Sequence, residues 1–509
     1  MKKNKNFLII FVFVLIAFKP IWLFNNKDLG SPGNDDLSYW LHAATLVYDF
    51  DLNYHNDYKV SKGTFNYKTN TPYHPPGAGY LSSIFVFIFS KFDNFTPNRL
   101  NPVGSYAFLG YYFATLFYFT IGIHLLNKLI NKDTNISNKS LILFSVFSGT
   151  LVHYVITRFM MSHAIEFFLC SVLIYVFEKY SHKKTTKMLF AIFFTYFLLS
   201  ITRPSTFIFS LCLFVVYLPS GKLKKKTLNQ ILFYSIFFGI LHILLSQVLY
   251  KTYSIFNNYQ TNFSEQNYSD FEFMHFIINL QYLPNLFFSS SMGIAWTMPI
   301  IIFGILSVVI NKNFFYNKNK FSRLFVFLYF MGALVVLIVW EGRDVAFGQR
   351  LLIGLLPFCA IRTSEIIDLQ LYKRLLFILT SISYAGYFYF YSSPNLTLRK
   401  GTTLWNTVVG YTGEDYFIYL FNEFYNLENI FNSLSRNIIS VNLFYFLPLT
   451  YFEQIFNKIF SNPDLLFKLK SHIELYKTIN THYFITASII FILFSYSYAF
   501  LITKKSINN

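Results

Sequence analysis

The chain has 509 residues, 54% of them hydrophobic and only 13% charged, with a formal net charge of +18. Apolar runs of roughly 15 to 22 residues recur along its whole length, which excludes a soluble multidomain protein and predicts an all-α polytopic membrane protein. The lysines cluster in short segments between those runs, so the positive charge reads as membrane topology and not as a nucleic-acid partner.

The first run, 7–24, follows Lys2, Lys3 and Lys5 and passes through Lys19-Pro20-Ile21-Trp22 with no small-residue cleavage site, so a retained membrane helix is expected. Further runs at 105–126, 140–157, 162–179, 188–202, 204–219, 229–249, 295–311, 323–340, 350–361, 374–391 and 482–503 bring the expected total to about twelve helices. With the N-terminus cytoplasmic, alternation places the basic segments Lys128 to Lys139, Lys179 to Lys187, Lys222 to Lys226, Lys312 to Arg323, Arg362 to Arg374 and Lys504-Lys505 on that same side. Both termini then lie inside, and 25–104, 250–294, 341–349 and 392–481 face outward. The apolar stretch Ile438 to Phe456 is interrupted by Pro448 and is expected to be interfacial or re-entrant. The organisation predicted is a transmembrane catalytic region over 1–391 with a structured first outward loop at 25–104. An outward helical segment at 392–481 and a last helix and cytoplasmic tail at 482–509 follow it. Cys170, Cys212 and Cys359 sit inside apolar runs without metal-ligand spacing and read as packing residues.

Charge reappears where the outward helix ends fall. Gly33-Asn34-Asp35-Asp36 precedes Leu37, Trp40, Leu41, Ala44 and Val47 at near-helical spacing, so Asn34 or Asp35 can cap a helix lying on the membrane surface. Two adjacent carboxylates repel unless a substrate, cation or basic side chain balances them, and one of them can accept a proton from a hydroxyl nucleophile. Tyr73-His74-Pro75-Pro76-Gly77-Ala78-Gly79 opens another apolar segment, with prolines suited to a helix start and small residues that permit close backbone approach. Arg158, His163 and Glu166 gather at the next outward junction, where Arg158 can pair locally with Glu166 or His163. Arg203-Pro204 marks another junction, at which Arg203 binds phosphate or snorkels. Glu341-Gly342-Arg343-Asp344 and Phe347-Gly348-Gln349-Arg350 form a charged turn whose Arg343 and Arg350 can grip a phosphate bidentately or bridge the neighbouring carboxylates.

In order and spacing, residues 1 to about 360 resemble the GT-C class of membrane glycosyltransferases, including bacterial members similar to the aminoarabinose and mannosyl transferases. The resemblance is carried by Asp35-Asp36 with Tyr39 and Asp49-Phe50-Asp51, then His74-Pro75-Pro76-Gly77, Met161-Ser162-His163-Ala164, Arg203-Pro204, Trp296-Thr297 and Phe347-Gly348-Gln349-Arg350. Asp36 stands where Glu or Gly is frequent, and residues 392–481 match nothing. The resemblance implies inverting transfer of a sugar from a polyprenyl-phosphate carrier to an envelope glycan, lipid or protein acceptor on the outer face of a bacterial cytoplasmic membrane. Asp35 or Asp36 would be the base. His74, Arg158, His163, Arg203, Arg343 and Arg350 would hold the substrate and its phosphate, and Tyr39, Trp40 and Trp296 would contact sugar or lipid. No cofactor is implied with certainty, and a divalent metal between the two carboxylates stays open. A polymerase of lipid-linked repeat units and a flippase are the competing readings. The first has no need of the acidic loop, and the second should concentrate charge near the midplane.

Overall fold

The computed structural model describes residues 34–54, 65–66, 71–93, 102, 105–130, 134–211, 213, 225–255, 286–287, 293–310, 326, 329–334, 349–392 and 500. The expected helices at 7–24 and 482–503, most of 323–340, the segment 393–481, and the turn carrying Glu341, Arg343 and Asp344 lie outside the described residues. What is described is mostly helical, with one short antiparallel hairpin pairing Phe65 with Pro72 and Asn66 with Thr71.

The first helix, α1 (Asn34–Tyr48), carries Asp35 and Asp36 in its first turn, where the helix dipole favours negative charge. The spacing predicts a helix lying on the membrane surface, and every residue of it from Asp36 to Thr45 is buried within the protein. The reason lies in α2 (Gly77–Ser90), which starts at Pro76 and lies against α1. A Cβ on Gly79 would come within 2.5 Å of the Tyr39 carbonyl and 2.6 Å of the His42 Cβ, so only glycine lets the two helices approach this closely. On its other side α2 packs on α3 (Tyr106–Leu129). There the Ser105 hydroxyl caps Phe108 N–H, and the Asp93 carboxylate accepts the N–H groups of Tyr106 and Ala107 at 2.7 and 3.0 Å.

Among the described residues, two helices are long and apolar enough to cross a membrane by length and composition, α3 and Lys225–Tyr250. Lys225–Tyr250 leaves Leu232, Ile236, Ile240 and Leu244 exposed at four-residue spacing, an apolar stripe along one side of the helix. Helices His163–His182, Thr186–Thr202 and Gln370–Ser392 coincide with expected spans and are unbroken.

Other expected spans are interrupted, each for a local reason. The run 140–157 divides into Ile136–Val146 and Thr150–Val152, separated at Gly149 with φ +51°, and then relaxes into a π-turn over His153–Thr157. Pro204, which cannot donate to the preceding turn, separates Thr186–Thr202 from Pro204–Ser210 at the boundary expected between 188–202 and 204–219. Pro299 does the same between Ile294–Thr297 and Pro299–Ile310. The run 350–361 begins as a 3₁₀ helix, Arg350–Leu355, before becoming α-helical over Leu356–Thr363. Three of these irregularities deliver an arginine. Arg158 ends the π-turn, Arg203 occupies the junction before Pro204, and Arg350 opens the 3₁₀ helix.

Candidate active site

Two of these arginines, Arg158 and Arg350, meet the first turn of α1. Arg158 Nε donates to Asp36 Oδ2 at 2.6 Å, and the Asp36 side chain is 2% exposed. Asp35, one residue earlier, is 40% exposed, with its carboxylate 3.6 Å from Arg350 Nη1 and 3.9 Å from His74 Nε2. The adjacent carboxylates thus balance their repulsion through different partners, Asp36 by a tight hydrogen-bonded pair and Asp35 by looser contacts at the opening. Arg158 does not pair with Glu166 or His163 as one local reading had it. Its chain segment is held by α3, whose Tyr111 and Thr115 hydroxyls donate to the carbonyls of Met160 and Phe159 at 3.0 and 2.7 Å.

His74 is fixed by its backbone. Its N–H donates to Ser38 Oγ at 2.9 Å, and its carbonyl accepts from His42 Nε2 at 2.8 Å and from Tyr250 OH at 3.0 Å. Donation from His42 Nε2 leaves Nδ1 to accept from Tyr54 OH at 2.5 Å, which assigns the tautomer. Three contacts from α1 and Lys225–Tyr250 therefore hold the His74 imidazole beside Asp35, with the Tyr39 ring 4.8 Å from it.

The electrostatics follow this geometry. Burial works to raise the Asp35 carboxyl, but nearby positive charge, from His74 when it is protonated and from Arg350 and Arg158 throughout, outweighs it and holds the group below its ordinary value. Burial pushes His74 down to about 4, assisted by Arg350, Arg203 and Arg158 and opposed by Asp35. Burial likewise lowers His42 to about 3. Both imidazoles are therefore neutral at pH 7.

The remaining residues singled out by sequence separate into three groups. Arg203 stands with its Nε 3.7 Å from Glu166 Oε2, and its charge helps to lower His74. His163 is fully buried one layer deeper, with Nδ1 3.0 Å from Glu166 Oε2. Tyr39 and Trp40 have no exposed surface. Tyr39 OH accepts from Ser162 Oγ at 3.1 Å, and Trp40 packs against Phe108 and Tyr111 with ring centroids 6.2 Å away. Trp296 is half-buried on the short helix before Pro299, and Arg343 lies outside the described residues. Sequence reasoning did not find Ser38, Tyr54 or Tyr250. Ser38 stands one turn from Asp35, but Tyr250 is 176 residues from the carbonyl it holds, and no local pattern announces it.

Among the described residues, no group of three His, Cys, Asp or Glu side chains is placed to hold a metal ion. Asp35 and Asp36 engage different cationic side chains, Arg350 and Arg158.

No protein-family model matches this sequence, and no curated protein matches it. Two solved structures are similar to it, both of the Archaeoglobus fulgidus oligosaccharyltransferase. The apo form is 13% identical, covers 81% of this chain and 56% of its own, and has a TM-score of 0.42. The complex with zinc and sulfate is 13% identical, covers 80% of this chain and 53% of its own, and has a TM-score of 0.43. The chain spans about half the length of the structures it matches.

Proposed function

We propose that this protein is a membrane glycosyltransferase that moves a sugar from a polyprenyl-phosphate carrier to a hydroxyl or amine of an envelope glycan, lipid or protein on the outer face of the membrane. The observation that carries the reading is the division of labour between Asp35 and Asp36. An open carboxylate faces a cationic cluster delivered by three helix irregularities, while its neighbour is sealed against Arg158. Asp35 is the base.

In this mechanism the acceptor's proton passes to the Asp35 carboxylate as its oxygen or nitrogen attacks the anomeric carbon from the side opposite the phosphate. The carbon–oxygen bond to phosphate breaks, and the leaving phosphate keeps the electron pair. Arg350 and Arg203 neutralise the charge that develops on it. Protonated Asp35 then returns its proton to water. Arg350 has a second consequence for the base. In the resting site it stabilises ionised Asp35 and makes it a weak base. A donor phosphate competes for the same guanidinium, and Asp35 becomes more basic when the donor is seated. Neutral His74 supplies a polar contact to Asp35 without adding positive charge.

Deletion of the gene, with wild type and Asp35→Asn as complements, tests the reading by mass spectrometry of envelope glycans and lipid-linked sugars. Loss of one sugar decoration with accumulation of its lipid-linked monosaccharide is expected in the deletion and in the variant. Collapse of a polymer ladder to single repeats would assign a polymerase instead, and an unchanged glycan and lipid profile would overturn the proposal.

A further inference from the structure

Glu166 takes no part in the chemistry above, yet it is the most heavily engaged buried carboxylate among the described residues. It is fully buried one turn into His163–His182. A carboxylate sunk among apolar helices is costly unless its surroundings compensate. Compensation comes from several elements. His163 Nδ1 donates to Oε2 at 3.0 Å, the Thr206 hydroxyl donates to Oε1, and Arg203 Nε stands 3.7 Å from Oε2, an ion pair too long for a hydrogen bond. Tyr329 OH extends the network by donating to Thr206 Oγ1 at 3.3 Å.

The 3₁₀ helix that begins with Arg350 closes the other side. A Cβ on Gly354 would fall 2.9 Å from Glu166 Oε1, 2.5 Å from the Tyr329 hydroxyl and 2.7 Å from Thr206 Cγ2. Gly354 follows Arg350 by four residues on that short helix. One carboxylate therefore touches both segments that carry arginines of the candidate site, Arg203 with Thr206 on one side and the Arg350 helix on the other. Donation to Glu166 also fixes the His163 tautomer with its proton on Nδ1.

We infer that Glu166 is a positioning residue that sets the placement of Arg203 relative to Arg350, and so the width of the clamp that receives the donor's phosphate. The inference rests on the phosphate reading of those two arginines. Its mechanism is geometric. Neutralising Glu166 frees the Arg203 guanidinium to relax away from the site, and displacing Gly354 shifts Arg350.

The test uses purified full-length protein in detergent, titrated with undecaprenyl phosphate as the probe. Arg203→Gln is expected to weaken binding about tenfold, and Glu166→Gln by a similar factor. The double variant should be no weaker than either single, because both remove the same placement. Glu166→Asp keeps the charge and should recover part of the affinity. Unchanged binding in both Arg203→Gln and Arg350→Gln would refute the phosphate reading itself. Weakened binding in those two with wild-type binding in Glu166→Gln, or strictly additive losses in the double variant, would overturn the positioning role alone. Should Glu166→Gln fail to fold, Thr206→Val removes the hydrogen bond to Glu166 and leaves the ion pair. It also removes the acceptor of Tyr329 OH, is expected to weaken the probe about threefold in a monodisperse protein, and wild-type affinity in it would overturn the inference.

Discussion

Arg158 and Asp36 are 122 residues apart in sequence and join at 2.6 Å, which ties the start of α1 to the turn between two bundle helices. The pair orients the whole first turn, including the open carboxylate of Asp35 beside it. Removing one partner of a buried ion pair leaves the other charge uncompensated. Asp36→Asn should therefore lower stability by about 3 kcal/mol, read as a drop in the thermal unfolding midpoint of the purified protein. A midpoint equal to wild type would show that the pair does not hold α1.

Asp35→Asn is expected to give the opposite profile. The side chain is 40% exposed and its partners stand at 3.6 and 3.9 Å, so little folding energy depends on it. Loss of the base should instead reduce sugar transfer by roughly 10²–10⁴-fold, measured as turnover of a polyprenyl-phosphate sugar in vesicles, with the unfolding midpoint unchanged. If Asp36→Asn abolishes turnover at full stability while Asp35→Asn retains it, the roles assigned to the pair are reversed.

His74 and His42 make stability depend on pH in a definite direction. Their folded values, about 4 and about 3, lie below the 6.5 of an exposed histidine. Between those limits the unfolded chain binds protons that the folded chain does not, so acid favours unfolding. The stabilisation is complete above 6.5 and is lost as pH falls from 6.5 towards 4, by on the order of 1 kcal/mol per histidine per pH unit. Unfolding midpoints measured at pH 7.5, 6 and 5 should fall in that order, and His74→Gln should flatten the slope. A midpoint that rises on acidification would mean that one of the histidines is charged in the folded protein.

Much of this arrangement was legible in the sequence because the signals were local. The apolar runs that became α3 and Lys225–Tyr250, the close approach that Gly79 permits, and the choice of Asp35, Asp36, His74, Arg203 and Arg350 as charged or polar groups at helix ends all follow from composition and spacing. What escaped had its cause in tertiary contact. Hydrophobicity showed 140–157 as one span, but Gly149 and the π-turn divide it and release Arg158 to reach Asp36 instead of its near neighbour Glu166. The aromatic residues Tyr39 and Trp40 resemble interfacial contacts in sequence, yet burial of α1 by α2 and α3 encloses them. The choice between Asp35 and Asp36 also needed the fold, since identical side chains acquired different exposure and different partners.

The proposed outer location of the site has a physical test in the length of His163–His182. Its first turn lies beside Tyr39 and Asp36 through Ser162 and Arg158, and its 20 residues then run about 30 Å to the exposed turn His182–Thr185. That distance matches the hydrocarbon thickness of a bilayer, and with a span expected over 162–179 the proposal predicts that the site and that turn face opposite compartments. With the three native cysteines replaced, Asn53→Cys, on the exposed segment after α1, should react with a membrane-impermeant maleimide in intact cells. Lys184→Cys, in the exposed turn, should react only after permeabilisation. The reverse pattern would put Asp35 and the arginine cluster on the cytoplasmic side, where the lysine distribution does not place them and where an outward-presented lipid-linked donor could not reach them.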